Sequence, residues 1–295
     1  MDENKWAREH FEEHRGRLRG LAYRMLGSLS EADDAVQETW MRVSRFGVDD
    51  IENPGGWLTT TTARVCLNML RSRQSRPLDL QGVHLPDPVV SLDDRVDPEA
   101  EALLADAVGL ALLVVFDRLT PAERLAFVLH DMFAVPFDDI APIVGRSVDA
   151  TRQLASRARR RVQNADVASD SDMARQREIM DAFFAAARRG DLEGLVAVLD
   201  PEVMLRTDGG EQRPELSVLL RGPAAIAGQA LRFANPSATL TPVIVNGSAG
   251  VLITIGDQPI SLMAFTVTRG KIIAIDALAD PDRLERFRSL VPRPQ

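Results

Sequence analysis

The sequence is poor in the residues that staple, anchor or catalyse. Its 295 residues hold one cysteine, Cys66, which excludes an intrachain disulfide and any cysteine-based zinc site. A small core residue is its expected role. No apolar run reaches the 18 or more residues of a membrane helix, so no membrane span is expected. Aromatics make up only 5%, and the last of four histidines is His130. The remainder of the chain therefore has no imidazole for acid–base work. A net charge of −8 argues against a uniformly basic nucleic-acid coat or a polybasic membrane anchor, though not against local basic patches. Met1-Asp2-Glu3-Asn4-Lys5 leads into a charged stretch without a signal-peptide pattern. A reducing cytoplasm fits these absences.

What is present is a globular composition, 45% hydrophobic and 26% charged, of a length that suits two or three domains. Two stretches read as linkers. Arg76 to Asp97 contains Pro77, Pro86 and Pro88 without a helical period and should be extended or irregular. Asp166 to Asp172 is short and polar. The spacing predicts helices over about 6–26, 31–46 (capped by Ser30) and 55–75. Further helices are expected over about 98–118, 121–133, 136–144 and 147–164. After Met173 two helices, 173–189 and 191–199, give way to β-branched runs at 203–206, 239–245, 251–255, 260–268 and 271–278.

Charge is unevenly spread. Trp57 to Arg76 carries four arginines and no acid, and Arg146 to Arg161 carries six with only Asp149 against them. The second strip lies in helix-turn-helix grammar: Thr120-Pro121 opens a helix, Pro136 a short one ending at Gly145, and Ser147 caps a longer one. Val148, Thr151, Leu154, Ala155, Ala158 and Val162 fall on its core side. Arg146, Asp149, Arg152, Gln153, Ser156 and Arg157 fall largely opposite, where arginine and glutamine suit guanine and adenine edges. Arg159, Arg160 and Arg161 lie farther along, toward phosphates. In the first strip Thr60, Arg64, Asn68 and Arg71 share one face without an acid, opposite Leu58, Thr61 or Thr62, Val65 and Met69. Such a face suits a single strand; a solvated polar face is the alternative. Trp57 reads more as a core anchor than a stacking platform. On the preceding helix Asp33, Asp34, Gln37, Glu38, Trp40 and Arg42 form an acidic and polar stripe for a basic partner protein, or a solvated face with a Glu38–Arg42 pair.

These residues resemble the extracytoplasmic-function sigma factors. A-D-D-A-V-Q-E-T-W-M-R-V (32–43) is similar to the core-polymerase-binding helix of region 2. Residues 53–73, opening N-P-G-G-W-L-T-T-T-T-A-R, resemble the promoter-melting and minus-ten helix. Residues 119–162, opening L-T-P-A-E-R-L-A-F, are similar to region 4, which reads the minus-35 element. The resemblance implies that Asp34, Gln37, Glu38 and Arg42 contact core RNA polymerase. It implies that Asn53, Trp57, Thr60, Arg64, Asn68 and Arg71 meet the minus-ten strand, with the loop Val48–Pro54 holding a flipped base. It assigns Arg146, Ser147, Asp149, Arg152, Gln153, Ser156, Arg157 and Arg160 to the minus-35 duplex. Core polymerase and promoter DNA are then the partners. Catalysis stays in the polymerase, and no enzyme activity, cofactor or metal is expected.

Residues 173–290 exceed the two sigma regions. G-D-L-E-G-L-V-A-V-L-D-P-E-V (190–203), D-G-G (208–210), L-L-R-G-P-A-A-I (219–226) and A-D-P-D-R-L-E-R-F (279–287) resemble the SnoaL-like fold of the nuclear-transport-factor-like superfamily. In sigma factors carrying such a domain the linker holds a Leu-Pro-Glu-Pro type motif. Leu85-Pro86-Asp87-Pro88 corresponds to it, with Leu80 and His84 where aromatics are usual. The expected architecture is two all-α sigma domains, a region 2 bundle (1–76) and a region 4 helix-turn-helix (98–165). An α+β cone (173–295) follows, with linkers at 77–97 and 166–172. The cone is expected to pack on the sigma regions and regulate them, leaving the DNA faces masked in the free protein. An unknown small ligand of the cone is left open. The alternatives are a one-component regulator binding duplex DNA, and a cyclase-like enzyme using Asp208, Asp257 or Asp276. Asp208-Gly209-Gly210 reads more as a turn than as a catalytic acid. Asp276 is either a pocket residue or a strand-end cap, and Arg206 and Arg221 are candidate partners for acids.

Overall fold

The computed structural model describes residues 3–46, 53–74, 83–92, 109–165, 170 and 172–291. Expectations for 48–52, for the helix start at 98–108, and for much of both linkers lie outside these residues. The chain divides into two units. One is Met1–Asp79, Glu101–Asp106 and Leu113–Asp166; the other is Leu80–Ala100, Ala107–Leu112 and Val167–Gln295. Residues 3–74 and 113–165 thus share a unit, while residues 110–112 and the described part of the first linker fall in the unit of the cone.

The first unit begins with α1 (Glu3–Leu26), α2 (Leu29–Phe46) and α3 (Pro54–Gln74), each packed on the other two. Leu21 and Met25, Ala35 and Val43, and Val65 and Leu67 supply buried apolar faces from the three helices in turn. Thr39 and Thr62 are buried between α2 and α3, their hydroxyls 3.2 Å apart and donating to Ala35 and Leu58 carbonyls of their own helices. One cap and one helix start differ from expectation. Gly27, with φ 72°, ends α1, so α2 starts early, on Ser28 rather than Ser30. Ser28 Oγ accepts from Glu31 N at 3.5 Å. Asn53 Oδ1 accepts from Gly56 N at 2.9 Å and starts α3 on Pro54. Cys66 is fully buried on α3, and burial pushes its thiol up to about 12, an inert core group.

The second helical region, expected to be region 4, comprises α4 (Leu110–Asp117), α5 (Pro121–Phe127), α6 (Phe137–Val144) and α7 (Val148–Asn164). The predicted helix over 121–133 is α-helical only to Phe127; Val128–Met132 forms a π turn. At this turn the His130 ring lies 3.1 Å from the Val135 carbonyl and stacks on Phe137 at 3.8 Å, so the wider turn aims His130 at α6. Gly145, at φ 70°, closes α6 and sets the crossing to α7.

The second unit holds α8 (Met173–Arg189), α9 (Leu192–Val198), β2 (Leu199–Asp208), β3 (Val218–Arg221) and α10 (Pro223–Phe233). Then come β4 (Ala238–Val245), β5 (Ser248–Ile255), β6 (Gln258–Thr268), β7 (Lys271–Leu278) and α11 (Pro281–Glu285). The sheet order is β1-β4-β5-β6-β7-β2-β3, where β1 is Val90–Ser91 from the linker. Asn246-Gly247 and Arg269-Gly270 all have positive φ, the geometry of two-residue hairpin turns that match strand twist. Phe183, Phe184 and Phe265 meet at ring centroids 5.5–5.8 Å apart, edge to face, where helix meets sheet. Each such pair adds about 1 kcal/mol beyond its buried area. This is the α+β arrangement of helices and one sheet expected of the cone. The strands β1 and β3 were not anticipated. The first is only two residues long and the second four, too short for an alternating pattern.

Candidate nucleic-acid interface

The α3 pattern resolves into two faces. Leu58, Thr61, Thr62 and Val65 are buried, while Arg64, Asn68 and Arg71 are exposed and Thr60 is half-buried. Thr60 Oγ1 donates to the Trp57 carbonyl at 2.9 Å, and Asn53 spends its carbonyl oxygen as the helix cap. Asn53, Trp57, Thr60 and Arg64 line a cleft of about 740 Å³ within this unit. Its other walls are α1, through His14 and Arg17, and region 4, through Phe133, Asp138 and Asp139. The upper half of the α3 face therefore looks across at region 4 acids, whereas Asn68 and Arg71 lie beyond the cleft lining.

The α2 stripe is also sorted. Asp34 and Gln37 are exposed; Glu38 and Arg42 are half-buried and paired at 2.9 Å, as their i, i+4 spacing allows. Met41 beside them is an exposed apolar side chain. Asp33 accepts from Arg19 of α1 at 2.6 Å.

On α7, Arg146, Ser147, Asp149, Arg152, Gln153, Arg157 and Arg160 are exposed, Ser156 is half-buried, and Thr151, Ala155 and Ala158 are buried. Ser147 Oγ caps the helix by accepting from Ala150 N at 3.2 Å. Arg152 pairs with Asp149 at 2.7 Å, an exposed bridge worth under about 1 kcal/mol and easily exchanged for a phosphate or base. Two arginines expected to face phosphates are committed elsewhere. Arg159 bonds Asp131 at 2.6 Å and Arg161 bonds Glu123 at 2.8 Å, because the end of α7 lies against the acids of α5 and its π turn. Arg157 also reaches Glu123, at 3.3 Å.

Glu123 holds this hairpin together. It closes a capping box with Thr120 and sits buried beneath two arginines. Burial alone would raise its pKa. The Thr120 hydrogen bonds, Arg161 and Arg157 outweigh burial and hold the carboxyl below its usual range. Its contribution is therefore complete above the unfolded value of about 4.3 and is lost as pH falls through the lower folded value. Glu123→Ala should cost region 4 about 1–2 kcal/mol at neutral pH in urea denaturation. The gap to wild type should close in acid, and a gap unchanged down to pH 3 would remove Glu123 from this role.

Arg124, next in sequence, is buried where region 2 meets region 4. Its Nε donates to the Arg24 carbonyl of α1 at 3.0 Å and its Nη1 to Asp117 at 2.6 Å. Burial lowers its pKa and Asp117 opposes that shift.

In the second unit the linker is bound rather than loose. Leu85 is fully buried, its N–H donates to Asp208 Oδ2 at 2.8 Å, and its carbonyl accepts from Arg283 Nη2 at 2.7 Å. Arg283 also bonds Asp208 at 2.7 Å and Asp87 at 3.0 Å. Val89 exchanges two hydrogen bonds with Asn246, and β1 continues as an edge strand on β4. Burial pushes Asp208 up, but His84, the Leu85 and Gly210 amides and Arg283 overcome it and hold the carboxyl below its normal range. The D-G-G turn is required sterically: a Cβ on Gly209 would lie 2.0 Å from the Arg213 carbonyl oxygen.

Asp208 thus anchors the linker, and Asp276 is no pocket residue. It forms a buried, two-point ion pair with Arg206 at 2.6 and 3.4 Å. Asp257 is exposed and pairs with Arg288. The sequence held the two halves of the clamp, L-P-D-P and D-G-G, but no pattern connects positions 123 residues apart.

An acid-free basic helix face in one unit with a helix-turn-helix is the arrangement of a promoter-recognition factor. Residues 10–76 match Sigma-70 region 2, and residues 109–162 match Sigma-70, region 4. The chain belongs to the extracytoplasmic-function RNA polymerase sigma factors. It is 37% identical over 280 residues to the probable ECF RNA polymerase sigma factor SigI of Mycobacterium tuberculosis, covering 94% of each chain. It is also 37% identical over 287 residues to ECF RNA polymerase sigma factor SigJ of that organism, covering 92% of this chain and 91% of SigJ. The crystal structure of SigJ superposes with a TM-score of 0.73 at 35% identity, covering 94% of this chain and 98% of that one. The likeness therefore runs through the cone.

Proposed function

We propose that this chain binds core RNA polymerase through the α2 stripe and opens and reads promoters through α3 and α7, with the cone as regulator. The observation that carries this reading is the pair of exposed cationic helix faces, Arg64-Asn68-Arg71 on α3 and Arg146-Arg152-Gln153 on α7, borne by one unit. On α3, phosphates meet guanidinium groups while unstacked bases meet the amide and hydroxyl. On α7, Arg152 and Gln153 are suited to base edges, and Arg146 and Arg160 to phosphates. Arg157 is held by Glu123 and positions the helix as much as it contacts DNA. On α2, Asp34, Gln37 and the Glu38–Arg42 pair surround the exposed Met41, an apolar centre with a polar rim.

The cleft bears on regulation. A DNA strand on the Trp57–Arg64 end of α3 would enter a cleft whose opposite wall carries Asp138 and Asp139, where phosphates meet like charge. The linker joining regions 2 and 4 is pinned to the cone at Leu85 and Val89. Separation of the two regions is thus limited by the length of chain left on either side of the clamp, which gives the cone a lever on it.

The test is run-off transcription with purified core polymerase and a promoter library. The full chain should initiate at specific sites. Arg64→Glu should cut open-complex formation about tenfold or more. Gln153→Ala should relax discrimination at one minus-35 position by about 1–3 kcal/mol. Duplex binding without initiation would overturn the sigma reading in favour of a one-component regulator.

A further inference from the structure

The inner face of the cone encloses a cavity of about 230 Å³ that the promoter reading leaves unused. Strand alternation decides what reaches it. Leu205 and Thr207 on β2 and Ile275 and Ala277 on β7 line it, while Arg206, Asp208 and Asp276 between and beside them do not. Helices α8 and α10 close it with Phe184, Ala230 and Phe233. Among the described residues the lining is overwhelmingly apolar and contains no carboxylate; its one charged residue there is Arg188. Arg188 is exposed, with Nη2 donating to the Ala238 carbonyl at 3.2 Å, which fixes the guanidinium at the rim. That bond uses one of five donors.

Two features mark the cavity as a binding site rather than a packing fault. Phe233 on its wall is 58% exposed, and Phe184, Leu240 and Met263 are only half-buried, so large apolar surfaces lie uncovered around one concavity. The volume also exceeds that of a dry apolar cavity of about 150 Å³ known to hold benzene. By that scale it accepts roughly ten carbon atoms.

We propose that the cone binds a small apolar carboxylate, its body of about ten carbons in the cavity and its acid group on Arg188. The chemistry excludes a cationic ligand, which would meet a guanidinium and no acid. It also separates binding from turnover, since the lining offers no acid–base pair. The walls continue directly into the linker clamp: Asp208 follows Thr207, and Asp280, which caps the helix bearing Arg283, follows Ala279.

Isothermal titration of the full chain with 2-naphthoate, and with the 2-naphthylmethylammonium cation as the same body with opposite charge, tests this. Saturable one-to-one binding of naphthoate, at least tenfold tighter than the cation, is expected. Ala230→Phe, which fills the cavity, should weaken naphthoate at least tenfold. Arg188→Glu, at an exposed position that should fold normally, should reverse the order of the two ligands. Absence of saturable binding by either compound would overturn the proposal. So would equal affinity for both, or naphthoate affinity unchanged in Arg188→Glu and in a folded Ala230→Phe. If Ala230→Phe does not fold, the charge-reversal arm decides.

Discussion

Asp276→Asn should lower the stability of the cone by about 3–5 kcal/mol, enough to drop its melting point by roughly 10–20 °C. Arg206 and Asp276 are register neighbours on the parallel strands β2 and β7, 4% and 2% exposed at the side chain. Their two-point contact offsets the cost of taking both charges out of water. An amide at position 276 keeps the volume but leaves the guanidinium buried without a counter-charge, and removal of one partner costs far more than the pair is worth. Replacing both, as in the double variant Arg206→Met with Asp276→Leu, should therefore recover most of the loss. Thermal and urea unfolding of the wild type, Arg206→Met, Asp276→Leu and the double variant forms a cycle. A single-variant effect under 1 kcal/mol would mean that water reaches the pair, and would withdraw the claim that it is a structural ion pair.

Arg283→Ala should release the linker. One guanidinium serves Asp208, the Leu85 carbonyl and Asp87, so its loss leaves a buried carboxylate with only neutral and amide donors beside His84. A cost of about 2–4 kcal/mol to the local clamp corresponds to a roughly thirty- to ninehundredfold larger opening equilibrium constant. Hydrogen exchange reads this directly at the amides of Leu85 and Val89, which donate to Asp208 and Asn246. Because the Asp208 pKa is depressed, the contribution of the clamp is complete above the unfolded value of about 3.9. It is lost only as pH falls through the lower folded value. Protection at Leu85, corrected for intrinsic exchange, should be level from pH 5 to 8. Protection at Leu85 unaltered in Arg283→Ala would show that the linker is held by β1 pairing alone.

Local rules explain what could be read from the chain. The α3 and α7 faces follow from a 3.6-residue period, so Arg64, Asn68, Arg152 and Gln153 were placed outward and Val65, Thr151 and Ala155 inward from spacing alone. Capping chemistry placed Thr120 and Ser147 correctly, where a hydroxyl precedes the first turn. It failed at Ser30, because two serines stand near the same helix start and the positive φ of Gly27 chose the earlier one. The motifs of regions 2 and 4 are contiguous, so the family was legible as well.

Everything that depends on distant partners was decided by tertiary structure. Arg159 and Arg161 look like DNA contacts on a helical wheel, and only the packing of α7 on α5 turns them to Asp131 and Glu123. Asp208 and Asp276 sit one strand position away from the cavity, so sheet alternation turns them from it and makes one a linker anchor and the other half of an ion pair. Periodicity and caps are properties of neighbours within a turn or two, and the amino-acid order determines them directly. A buried charge acquires its meaning from whatever folding brings within hydrogen-bond reach, which no local pattern encodes.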